Sequence, residues 1–201
     1  MSGPTDKVAK LAAAIFHRAD MTSLRRAIEE ARVACGGGPP PSMATVRRHL
    51  EALRQSSFGM DEWAASRLGR LNAIEELLQT VGFIRPDSMC YVVGRAAEGH
   101  VDDTGPAHLR LVGSGESAMV IDDLESQGFS PCEVSSVTTR LGSMAVVHLD
   151  DGDLRVDLML LPDAPAAHAA INLVNGRPVT LVDEVGFAKL IQKARGDSSV
   201  S

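Results

Sequence analysis

The chain has 201 residues, 44% of them hydrophobic and 23% charged, with a formal net charge of -6. That length holds one ordinary domain plus a small accessory one, and the apolar fraction is enough to build a core, which excludes disordered and fibrous classes. No apolar run approaches the roughly 20 residues of a membrane span and the N-terminus carries no signal-peptide pattern, so no membrane partner and a cytoplasmic location are expected.

Cys35, Cys90 and Cys132 are widely separated and odd in number. They fit neither a disulfide framework nor a Cys-x-x-Cys metal site, and are expected to be reduced, mostly buried thiols. Residues 1–57 hold nine Lys or Arg against five Asp or Glu, a balance of +4 that leaves -10 for residues 58–201. The mildly basic front end suits an acidic partner, whereas the acidic remainder disfavours non-specific polyanion binding.

In chain order, Val8, Leu11, Ala12, Ile15 and Phe16 recur at helical spacing and predict a first helix over 5–19. Thr22 or Ser23 is placed to cap a second, with Leu24, Ala27, Ile28, Ala31 and Ala34 inward; Gly36 to Pro41 ends it. Ser42 caps a third, in which Val46, His49, Leu50 and Leu53 face inward. Its outward Arg47, Arg48 and Arg54 offer a route to a phosphate backbone, and Thr45–Leu53 resembles a helix-turn-helix recognition helix; a solvated bundle face explains the same pattern. A fourth helix over 61–82 connects this helical domain, 1–58, to a second domain, 59–201.

From Ser88 the pattern turns strand-like. Strands are expected at 89–93 and 107–112 and a helix at 117–127. A hairpin of 129–138 with 143–149 follows, then a turn at Asp150, Asp151, Gly152 and Asp153 and a strand over 154–161. A helix over 165–174, a short strand over 178–181, a closing helix over 183–194 and a disordered tail from Gly196 complete the reading.

Two runs carry a resemblance. Val93-Gly94-Arg95-Ala96-Ala97-Glu98-Gly99 stands where the polymerase-beta-like nucleotidyltransferase superfamily has Phe-Gly-Ser-Arg-Ala-Arg-Gly. Gly105-Pro106-Ala107-His108-Leu109-Arg110-Leu111-Val112 stands where it has Ser-Asp-x-Asp-Leu-x-Val. Over residues 60–195 the chain thus resembles that superfamily, which implies an α/β (α+β) fold: a mixed sheet flanked by helices. Superfamily catalysis uses two metal ions on three carboxylates. The resemblance leaves one of these, Asp157; Pro106 and His108 stand for the other two, and Arg95 for the phosphate-holding serine.

Strand alternation puts His108, Arg110, Arg155 and Asp157 on one open face. A single carboxylate beside two arginines repels a divalent cation, so neither a metal nor a cofactor is expected. Three readings compete. Asp157 pairs with His108 or Arg155 as a relic; or Arg95, Arg110 and Arg155 hold a nucleotide or other phosphate near Gly94 and Gly99, whose N–H groups point at the anion; or catalysis survives with magnesium on His100, Asp102, Asp103 and Asp157. The leading expectation is a catalytically degenerate nucleotide- or anion-binding or regulatory module. The alternatives are an active enzyme moving a nucleoside monophosphate from a nucleoside triphosphate to an acceptor, and a DNA-binding protein. No local Ser, His and Asp motif for a nucleophile stands out.

Overall fold

The computed structural model describes residues 3–18, 23–101, 104–113, 115–129, 131–150 and 154–198. Thr22, Asp102, Asp103, Asp151, Gly152 and Asp153, named above, lie outside the described residues, as does the Cys132 side chain. The chain divides into two compact units, Met1–Ala65 and Ser66–Ser201.

The first unit is built on α1 (Pro4–Arg18), α2 (Leu24–Ala34) and α3 (Met43–Phe58). Ala9, Ala12, Ala13, Ala27 and Ala31 are fully buried, and such small side chains let helices approach closely around Phe16, Ile28, Val46 and Leu50. The Ser42 hydroxyl accepts from the Thr45 N–H at 3.1 Å and caps α3 as expected. Ser23 caps α2 by backbone conformation, without a side-chain bond. His49, expected in the core, is satisfied there: its Nε2 lies 2.8 Å from Asp6 Oδ1 on α1.

The second unit centres on a six-stranded mixed sheet of β1 (Met89–Val93), β2 (Ala107–Val112), β3 (Pro131–Thr139), β4 (Gly142–Asp150), β5 (Arg155–Leu161) and β6 (Leu181–Asp183). Strand order is β3-β4-β5-β2-β1-β6, and β2 with β5 is the parallel pair. Helices α4 (Met60–Ile84), α5 (Ser117–Ser126) and α6 (Glu184–Ser198) supply Leu71, Ile74, Leu78, Leu124, Phe187 and Ile191 to one face. There they meet Val92, Leu109, Leu111, Val147 and Leu158. Each such side chain removed from water contributes about 1.5–3 kcal/mol, so this face dominates the unit's stability. The expected α/β class and mixed sheet are present. The β3–β4 hairpin turns at Thr139, whose buried hydroxyl donates to Gly142 O and accepts the Leu141 N–H, both at 3.0 Å.

The opposite face is half covered by the segment 162–180, and here the structure corrects the sequence reading. No helix forms over 165–174; the chain makes a series of turns that closes with an Ile171–Pro178 bridge. The reason is a competing donor. Arg110 reaches out of β2, and its guanidinium donates to the carbonyls of Ala167 at 3.2 Å, Ala169 at 2.9 Å and Ile171. In a helix those carbonyls would serve amides four residues on. Asn172, Asn175 and Gly176 then turn the chain back, the Asn172 side chain accepting the Val174 and Asn175 N–H groups. The strand expected at 178–181 lies instead at Leu181–Asp183, antiparallel to β1. The closing helix passes Gly196 and runs to Ser198.

Candidate functional site

The open face is organised by register. His108 on β2 stands opposite Asp157 on β5, and Asp157 stands opposite His148 on β4, so three polar residues form one row across three strands. Val146, Met159 and Arg110 form the next row. Leucine and valine at the alternate positions point into the core, which is why the polar set shares the other side.

Asp157 is the hub. One carboxylate oxygen lies 2.8 Å from His148 Nδ1 and the other 3.3 Å from His108 Nδ1. Burial pushes the Asp157 pKa up, but the two imidazole bonds and their charge outweigh it, and the carboxyl ends below its ordinary value. On its far side His148 Nε2 lies 2.7 Å from Ser135 Oγ on β3. His108 is the exposed end of the row, with 63% of its side chain open to solvent.

These groups border a cavity of about 300 Å³. Its remaining wall is largely apolar, with Val93, Val137, Val146, Met159, Leu173 and Val179 prominent. Gly94, His108, Arg110 and Asp157 line it, as the sequence reading requires of a shared site; Arg95, Gly99 and Arg155 do not.

At the expected anion cradle the Gly94 N–H is bonded to Thr180 O at 2.7 Å and the Gly99 N–H to Ala96 O at 3.0 Å. Gly99 is a close-packed glycine at φ +79°, where a Cβ would stand 3.0 Å from the Arg67 guanidinium and 3.2 Å from Leu190. Arg110 is only 4% exposed and is spent on the 167–171 carbonyls, with burial lowering its pKa. Arg95 and Arg155 each have a partner already. In the first unit Arg47 and Arg54 are half-buried and also have partners, while Arg48 is exposed.

Of the rearranged metal set, His100 is exposed and Asp102 and Asp103 lie outside the described residues. Among the described residues no group of three or more His, Cys, Asp or Glu is placed to hold a metal ion. The two imidazoles turn their Nδ1 atoms onto Asp157 instead of toward a common point.

A second histidine relay anchors the covering segment. His168 Nδ1 lies 2.9 Å from the Tyr91 hydroxyl and its Nε2 2.8 Å from Asp163 Oδ1. His168 is therefore satisfied by structure, and it stitches 162–180 to β1. Cys90, on β1 and packed against the core, has its thiol pushed up to about 12 by burial and by Glu184. Among the described residues no helix is long and apolar enough to cross a membrane.

His148 and Ser135 are the site residues that sequence reasoning missed. The sequence signal was partial: His148 lies two residues before the Asp150–Asp153 turn and Asp157 four after it, and the β4–β5 register, offset from a symmetric pairing about those four residues, sets them opposite each other.

No protein-family model matches the chain, and no curated protein matches it. Among solved structures it is similar to one of Cid1 concerning its RNA terminal uridylyl transferase activity, at TM-score 0.34 and 15% identity over 48% of this chain and 30% of that one. It is also similar to the Cid1 poly(U) polymerase with MgGTP bound, at TM-score 0.33 and 15% identity over 47% of this chain and 32% of that one. A structure of the GLD-2/RNP-8 complex matches at TM-score 0.33 and 17% identity, with the same coverage of 47% and 32%. The chain thus spans about a third of the length of these three structures.

Proposed function

We propose that this chain is a nucleotidyltransferase-like protein that has lost two-metal nucleotidyl transfer and serves as a small-ligand-binding or regulatory module. The observation that carries this reading is the state of Asp157. Both of its oxygens are engaged by imidazoles, at the place where the resembled superfamily gathers its metal carboxylates. Magnesium demands several oxygen ligands in near-octahedral array, and having Pro106 and His108 at the two other carboxylate positions removes both the ligands and the negative potential. The apolar wall of the cavity suits a compact, mostly apolar moiety such as a nucleobase. The Gly94 and Gly99 N–H groups and Arg110 bond within the protein, which favours the base over the phosphate as the part of a nucleotide that this cavity takes.

Isothermal titration with ATP and with adenosine, each with and without magnesium, tests it. The nucleoside is expected to bind about as well as the nucleotide, and magnesium to make no difference. Tight magnesium-dependent ATP binding, or transfer of labelled nucleoside monophosphate to any acceptor, would overturn the proposal.

A further inference from the structure

Ser135, His148 and Asp157 form an unbroken hydrogen-bond relay, Oγ to Nε2 at 2.7 Å and Nδ1 to Oδ1 at 2.8 Å. Register builds it from three neighbouring strands. Ser135 stands opposite Val146, His148 follows two residues later on the same face, and Asp157 stands directly opposite His148.

The proton positions follow from the chemistry of the groups. An ionised carboxylate only accepts, so His148 Nδ1 carries the hydrogen toward Asp157. In the neutral imidazole Nε2 is then a lone pair, and the Ser135 hydroxyl must be the donor. A serine hydroxyl donating to an imidazole whose other nitrogen is held by a carboxylate is the arrangement that makes serine a nucleophile.

Two further features point to a ligand. All three residues line the cavity of about 300 Å³, so the hydroxyl borders a partly open pocket of small-ligand size. Asn172 lines the same cavity, and its Oδ1 accepts the Val174 N–H at 2.9 Å and the Asn175 N–H at 3.1 Å. That pairing fixes which end of the amide is which and leaves Nδ2 as a donor for a developing oxyanion.

We infer that Ser135 is a nucleophile, with His148 as its general base and Asp157 orienting the imidazole, acting on a small carboxylic ester whose short apolar acyl group fills the cavity. This inference shares the cavity with the reading above and does not require the ligand to be a nucleotide. Ser135 Oγ forms a bond to the acyl carbon as its proton passes to His148 Nε2. The tetrahedral species collapses, the ester C–O bond breaks, and the leaving alcohol takes that proton. Water, deprotonated by the same Nε2, then attacks the acyl-serine; the acid departs and the hydroxyl is restored. No metal, oxidant or cofactor enters the balance.

A fluorophosphonate probe on the 201-residue chain, read by intact mass and peptide mapping, tests the assignment. In that reaction Oγ bonds to phosphorus, the P–F bond breaks, fluoride leaves and His148 takes the proton. One adduct on Ser135 is expected. His148→Gln should slow labelling by about 100-fold or more, the loss expected for a general base. Ser136→Ala, altering the exposed neighbour, should label at the wild-type rate. Because His148→Gln removes a cross-strand bond, Ser135→Ala supplies a second arm that leaves the His148–Asp157 pair intact: turnover of p-nitrophenyl butyrate should be present in the wild type and lost in this variant. The inference is overturned if Ser135 stays unmodified, if His148→Gln labels as fast as wild type while retaining its fold by circular dichroism, or if ester turnover is absent from the wild type or unchanged in Ser135→Ala.

Discussion

Replacing Arg110 with methionine isolates the contact that shapes the covered half of the open face. Three carbonyls, those of Ala167, Ala169 and Ile171, lose their donor at once. Hydrogen bonds to a charged group contribute about 1.5–3 kcal/mol each, so three give an upper bound of roughly 4.5–9 kcal/mol. Two effects reduce this. The buried guanidinium already carries a desolvation cost, visible in its lowered pKa, and methionine removes that cost with the charge. Arg110 itself lines the cavity, so water entering the space its guanidinium vacates offsets part of the loss at the carbonyls. A net loss of about 3 kcal/mol is expected, near the low end for breaking a buried charged network. With a urea slope of about 2 kcal/mol per molar, the midpoint should fall by about 1.5 M. Amide exchange within 163–180 should quicken more than exchange within β1 or β2, since the sheet keeps its own ladder. Arg110→Lys, a point charge unable to serve three acceptors, should recover only part of the loss. A methionine variant with an unchanged midpoint and unchanged exchange in 163–180 would refute the account of this segment.

Three other outcomes follow from the same geometry. Gly99→Ala should destabilise by about 1–2 kcal/mol through its positive φ alone, with the Arg67 and Leu190 contacts adding to it, in a urea titration; equal stability would contradict both costs. Asp157 has a folded pKa below its unfolded value of about 3.9, so its contribution is full above that pH and is lost as pH falls through the lower folded value. Acid should therefore cost wild type more stability than Asp157→Asn as pH falls below about 4, and parallel curves would contradict this. Cys90, with its thiol near 12, should resist a disulfide reagent in the native protein while half-exposed Cys35 reacts; in a Cys132→Ser background, two fast thiols would be the contrary result.

The arrangement of the sheet was legible because alternation and glycine placement carry it. Ala107, Leu109 and Leu111, like Val156, Leu158 and Leu160, alternate with polar neighbours, which is enough to put His108 and Asp157 on one face. The relay was not read, because it depends on pairing across two hairpins. His148 is a lone histidine in an apolar strand until β4 is folded onto β5 about its turn. Ser135 is one of several small polar residues until β3 is folded onto β4. The segment 165–174 misled for a different reason. Alanine favours a helix locally, but Arg110, more than fifty residues earlier, claims the carbonyls a helix would use. Gly94 and Gly99 have the spacing of an anion-binding turn in the sequence, while in the fold one N–H joins the Thr180 carbonyl and the other closes a short turn on Ala96.

The central claim is that Asp157 is committed to two imidazoles and not to metal ions. A manganese titration followed through the imidazole nitrogen resonances tests it most directly. The account predicts that His108 and His148 keep a protonated Nδ1 bonded to the carboxylate, that both signatures vanish in Asp157→Asn, and that millimolar manganese leaves them sharp. Selective broadening of the His108 and His148 signals at low manganese, with loss of the Nδ1 protons, would contradict it.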